Sequence, residues 1–173
     1  MSLTRRIVTA ILMVLAIAFQ SAVVAKWNLP GAVPDLLLVL VAAFAMRQLP
    51  EHGALTGFLA GLLLDLAPPS DGLIGLSAFS LTIVGYVAAT FRTDLNRSVF
   101  GPLLFAGGAG PVVVFLHAML GGLLGDPTIT ISRTPWLMLT SAVYCTLLAT
   151  IIVPFVRFLL TFLMPTPATV LRR

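Results

Sequence analysis

Cysteine and charge are both scarce in this chain. Cys145 is the single cysteine and lies inside an apolar run, so no intrachain disulfide can form and a thiolate metal site has no second ligand. Charged residues make up 9% of the 173 positions and hydrophobic residues 59%, more apolar surface than one soluble core can hide. The chain is therefore expected to be an integral membrane protein with the lipid bilayer as its main neighbour. Its ten Lys and Arg outnumber its six Asp and Glu, yet the basic residues are scattered and build no patch that could follow a phosphate backbone. Nucleic-acid binding is not expected. No pair of His, Cys, Asp or Glu has metal-ligand spacing on one helix, and no glycine-rich loop follows a strand to hold phosphates. Neither a metal nor a nucleotide or other cofactor is expected, and no residue is assigned a catalytic role.

Long apolar runs are what the chain has in quantity. Six are expected as transmembrane helices, at about 7–25, 34–49, 53–68, 73–91, 100–124 and 135–163, separated by short breaks rich in Pro, Gly, Asp and Arg. No linker is long enough to divide domains, so residues 1–173 read as one all-α transmembrane domain, an integral membrane bundle of six helices. Arg5 and Arg6 ahead of the first run, and Ala22-Val23-Val24-Ala25 at its end, also suit a signal peptide. A run of about 19 residues fits a retained spanning anchor better than a signal-peptide core of about 7–15.

With a cytoplasmic amino end and six crossings, Arg5, Arg6, Arg47, Arg92, Arg97, Arg157, Arg172 and Arg173 lie inside, against Lys26 and Arg133 outside. Both termini are then cytoplasmic. Removing the second segment from the membrane weakens this bias and splits the arginines of the two ends. Segments 34–49 and 53–68 have 16 residues each, about 24 Å of helix against a hydrocarbon core of about 30 Å. They can persist behind other helices, in a thinned bilayer, or as a shallow hairpin returning through Gln48-Leu49-Pro50-Glu51. Pro111 and Pro154 should kink or interrupt the fifth and sixth helices.

Gly53, Gly57 and Gly61 recur at every fourth residue, and Asp65 continues the spacing. Residues four apart drift by roughly 40° around a helix, so the four form one slowly winding stripe. Glycine weakens a helix in water by about 1 kcal/mol against alanine, but between membrane helices it admits a neighbouring backbone. The stripe is either a groove for another protein's transmembrane helix or a packing face inside the bundle. Asp35, just after Pro34, is placed to cap the second helix. Asp65 lies near the far end of its helix, where the dipole disfavours an anion and capping gives no reason for it. A structural polar contact and a partner or ion role both stay open for Asp65. His117, near Gly121-x-x-x-Gly125, reads as a hydrogen-bonded packing residue, and His52 as a solvated turn residue.

The run from Pro34-Asp35-Leu36 through Gly57-Phe58-Leu59-Ala60-Gly61-Leu62-Leu63-Leu64-Asp65-Leu66 to Gly72-Leu73-Ile74-Gly75-Leu76 and Gly85-Tyr86 resembles the rod shape-determining protein MreD family. The likeness is specific across 34–92 and loose elsewhere, since the fifth and sixth segments carry no such motif. It implies a non-catalytic scaffold in the bacterial inner membrane, part of the cell-wall elongation complex. Its partners would be the bitopic MreC and, with it, the actin-like MreB and peptidoglycan synthases; self-association stays open. Gly53, Gly57, Gly61, Asp65 and Asp35 are the candidate partner-binding residues. The family is also similar in fold to the substrate-binding subunits of energy-coupling-factor transporters. That implies a rival function, a small-molecule-binding subunit of a membrane transporter, with an outer pocket near Asp35, Asp71, Asp126 and Arg133. Ala18-x-x-x-Ala22 would then face an ATPase-coupling subunit. A more remote alternative rests on Gly75-Leu76-Ser77-Ala78, which resembles the serine motif of rhomboid-type proteases, with His117 as general base. The motif's second glycine is Ala78 here.

Overall fold

The computed structural model describes residues 3–22, 31–67, 74–98, 100–124 and 133–163, which form helices with no strand among them. In chain order the helices are α1 (Leu3–Ala22), α2 (Leu36–Ala45), α3 (Pro50–Leu66), α4 (Leu76–Thr90), α5 (Arg92–Arg97), α6 (Gly101–Leu123) and α7 (Thr134–Leu163). Lys26, Asp71, Gly72, Gly125 and Asp126 lie outside the described residues.

Helix α2 is apolar on every side, and a helix without a polar face has to be enclosed. Residues 37–45 are all buried, and α1, α3, α4, α6 and α7 surround them. Its start is set by two side chains. Asp35 Oδ1 accepts the Leu38 N–H at 2.9 Å, and Gln20 of α1 accepts that of Leu37 at 3.2 Å, satisfying two of the free donors of the first turn. Beyond its other end, the Arg92 guanidinium donates to the Gln48 carbonyl at 3.1 Å. With 10 residues α2 is about 15 Å long, half a hydrocarbon core. The second apolar segment, expected as a helix over 34–49, is thus a shorter rod shielded by its neighbours.

Helix α3 opens with Pro50 in its first turn, where the missing N–H has no cost, and Glu51 there favours the positive end of the dipole. Its main neighbour is α4, and α6 pairs with α7 in the same way. Helix α5, not foreseen from the sequence, is a short helix whose Leu95 packs against the core while Asp94 and Arg97 are exposed and form an ion pair at 3.4 Å. Of the kink or interruption expected at Pro111 and Pro154, interruption does not occur: both α6 and α7 run through their prolines. A proline removes one N–H from the ladder, and helices of 23 and 30 residues keep the rest.

Among the described residues two stretches are long and apolar enough to cross a bilayer, Gly101–Leu123 and Thr134–Leu159; the apolar stretches Thr9–Gln20, Leu36–Ala45 and Leu76–Thr90 are shorter. The outer faces carry large apolar side chains that a water-soluble protein would hide, among them Leu15, Leu55, Leu104, Leu147, Ile151 and Phe158. Threonine hydroxyls on α4 and α7 turn back onto their own helices. Thr90 donates to the Tyr86 carbonyl at 2.8 Å and Thr150 to that of Thr146 at 3.1 Å, which satisfies exposed hydroxyls within their own helices.

Candidate functional site

Gly53, Gly57 and Gly61 are buried, and α4 of the same chain covers the face they share. A methyl group on Gly53 would stand 2.5 Å from the Gly85 carbonyl oxygen and 2.7 Å from the Ala89 methyl. On Gly57 it would overlap the Leu81 carbonyl, and on Gly61 the Ala78 backbone. The approach is mutual, because a methyl on Gly85 would overlap the Gly53 carbonyl. The two backbones are in contact along three turns, closer than any pair of larger residues permits. A foreign helix could enter this face only by displacing α4.

Asp65, at the end of the same stripe, is a cap after all, but for the next helix. Its Oδ2 accepts the N–H groups of Gly75 at 2.8 Å and Ala78 at 3.1 Å, and its Oδ1 that of Ser77 at 3.3 Å. These are donors of the first turn of α4, which has no capping side chain of its own. The unfavourable dipole end of α3 is offset by the favourable end of α4. Gly75 sits at φ +99°, a left-handed conformation that glycine adopts without strain, and this turns its N–H toward the carboxylate. The sequence expectation that capping gives no reason for Asp65 considered α3 alone, and is corrected here.

A cavity of about 450 Å³ opens between the start of α2, the Asp65-capped end of α4, the later part of α6 and the first turns of α7. Asp35, Ser77, His117 and Ser141 reach it, among apolar walls that include Leu38, Leu81 and Val113. His117 Nδ1 is 2.9 Å from the Val113 carbonyl oxygen, which can only accept, so Nδ1 carries a proton directed at it. Ser77 Oγ lies 3.5 Å from Nε2, and Ser80 Oγ 3.5 Å from Nδ1.

A serine and a histidine thus do meet, as the protease alternative requires. The rest of that chemistry is obstructed. Backbone N–H groups beside the serine would have to stabilise an oxyanion, and those of Ser77 and Ala78 are bound to Asp65. Ser77→Ala is accordingly expected to complement loss of the chain in cells as well as the unaltered sequence does; failed complementation at full protein levels would restore the enzymatic reading.

Residues 1–163 match the model of the family described as rod shape-determining protein MreD. The chain belongs to the MreD family. No curated protein and no solved structure matches it significantly. Membership makes this a membrane protein of the rod-shape system, from a structural family not known for enzymes.

Within this MreD-family chain the candidate residues fall into two groups. Gly53, Gly57, Gly61 and Asp65 all act between α3 and α4, whereas Asp35 caps α2 and lines the cavity. Arg133, expected near an outer pocket, is exposed and not among the cavity's described lining residues. No group of three His, Cys, Asp or Glu among the described residues could hold a metal ion. Two polar contacts were not anticipated: Gln20 on the start of α2, and a Thr56 hydroxyl donating to the buried Gln48 side chain at 2.9 Å. The available signal was simple, a lone amide or hydroxyl in an otherwise apolar run.

Proposed function

We propose that this chain is a non-catalytic scaffold of the cell-wall elongation complex in the bacterial inner membrane. It crosses the bilayer six times, with α1, α2, α3, α4, α6 and α7 as the crossings and both termini in the cytoplasm. It binds an MreC-like bitopic protein and through it MreB and the peptidoglycan synthases. The MreD match over residues 1–163 carries this reading. The contact between Arg92 and the Gln48 carbonyl supports the topology, since loops after the second and fourth crossings then share one side.

The candidate residues serve the partner indirectly. Gly53, Gly57, Gly61 and Asp65 seat α3 against α4, Asp35 fixes α2, and the partner's helix meets the opposite, exposed face of α3, with Leu55, Phe58, Leu59 and Leu63. Replacing Leu55 and Leu59 together with alanine is expected to cut co-purification with MreC in mild detergent by about tenfold, the equivalent of 1.4 kcal/mol. The thermal midpoint of the variant should stay within a few degrees of the original. Full recovery of MreC by this variant would place the contact elsewhere.

The cavity beneath Asp35 favours a second reading, a small-molecule-binding transporter subunit similar in fold to those of energy-coupling-factor systems. The same pull-down separates the two, because that subunit would bring down ATPase subunits in place of cell-wall proteins.

A further inference from the structure

The geometry points to the cavity beneath Asp35 as a binding site for a primary ammonium group carried on an apolar body. Neither functional reading above is needed for this. The volume, about 450 Å³, falls in the range of about 300–1,000 Å³ typical of small-molecule sites. Its walls are mostly apolar, and beside the hydroxyls of Ser77, Thr134 and Ser141 its polar groups are the Asp35 carboxyl and the His117 ring.

Asp35 is the one acidic side chain among the described lining residues. Its Oδ1 holds the Leu38 N–H, and the Gln20 side chain and the Leu37 N–H are also in reach; with about four lone-pair positions on a carboxylate, one is left for a further donor. His117 has its Nδ1–H committed to the Val113 carbonyl, and the only described hydroxyl beside its Nε2, that of Ser77, is at the long limit of 3.5 Å. In the neutral ring Nε2 is therefore a second acceptor, open to a better donor. An anion would face the Asp35 carboxyl with no Lys or Arg among the described lining residues to balance it. A purely apolar guest would leave both acceptors desolvated and unpaired. A primary ammonium brings three N–H donors and a positive charge to the same wall, and its hydrocarbon part suits the aliphatic remainder.

Two sources present this chemistry, a free lipophilic amine and the ethanolamine headgroup of a lipid. The test uses the full chain in detergent, with n-octylammonium as probe and octanoate as its chain-matched opposite. Octylammonium is expected to raise the thermal midpoint with saturation, and octanoate is not. Asp35→Asn keeps a side-chain oxygen for the Leu38 N–H and removes the charge; it should weaken octylammonium binding by about tenfold or more. Should that variant fail to fold, His117→Phe removes the second acceptor and is read in the same titration. Equal stabilisation by octanoate, no shift with octylammonium, or unchanged affinity in a folded Asp35→Asn protein overturns the proposal. Native mass spectrometry after reconstitution with phosphatidylethanolamine or phosphatidylglycerol then separates the sources. Phosphatidylethanolamine held by the original chain and lost from Asp35→Asn assigns the lipid headgroup; binding of octylammonium alone assigns a free amine.

Discussion

Gly57→Ala is expected to lower the stability of the folded chain by about 3 kcal/mol, the upper end for overfilling a packed interface. The added methyl would overlap the Leu81 carbonyl, and backbone cannot rotate out of the way as the end of a side chain can. Helices α3 and α4 would have to separate, loosening the contacts at Gly53 and Gly61 as well. Leucine at the same site should leave no folded protein to extract. The control is Gly108→Ala in α6, where a methyl meets nothing within 4 Å. There the better helix propensity of alanine should give a gain of up to about 1 kcal/mol. Reversible unfolding in mixed micelles with rising dodecyl sulfate measures both. If the two substitutions behave alike, close contact between α3 and α4 is not what the glycine stripe provides.

That stripe was legible in the sequence as a demand for close approach, but its partner was not. Small residues at every fourth position look the same whether the helix that fits them belongs to the chain or to another protein. The matching surface on α4, built from Ala78, Gly85 and Ala89, was also present as small residues at helical spacing, and a search for two complementary stripes would have joined them. Asp35 was legible because its contact is local, three residues away. Asp65 was not, since its partners lie 10 to 13 residues on, across a change of helix. Capping rules consider one helix at a time. Likewise the 34–49 run was seen as apolar and short, but which of shielding, bilayer thinning or a hairpin accommodates it was not legible, because hydropathy does not distinguish a helix enclosed by protein from one bathed in lipid. The cavity was the least legible feature, since Asp35, His117 and Ser141 come from three helices that only tertiary packing brings together.

Asp65→Ala is expected to destabilise the chain by about 2 kcal/mol, the upper end for loss of an N-cap, because three N–H groups lose their acceptor together. Amide hydrogens of Gly75, Ser77 and Ala78 should exchange faster by roughly 30-fold, the same free energy read locally. Asp65→Asn should cost about half as much. Its one carbonyl oxygen can take the place of Oδ2, which serves Gly75 and Ala78, while its amide nitrogen would face the Ser77 N–H and forfeit the longest of the three bonds. The order alanine worse than asparagine worse than aspartate distinguishes capping from the other roles open to this carboxylate. An ion site would be damaged about equally by both substitutions, because both remove the charge. A direct partner contact would leave stability and amide exchange untouched while reducing recovery of MreC. If Asp65→Ala is as stable as the original chain and its three amides stay protected, the first turn of α4 is held by something else, and the end of the glycine stripe becomes available to a partner.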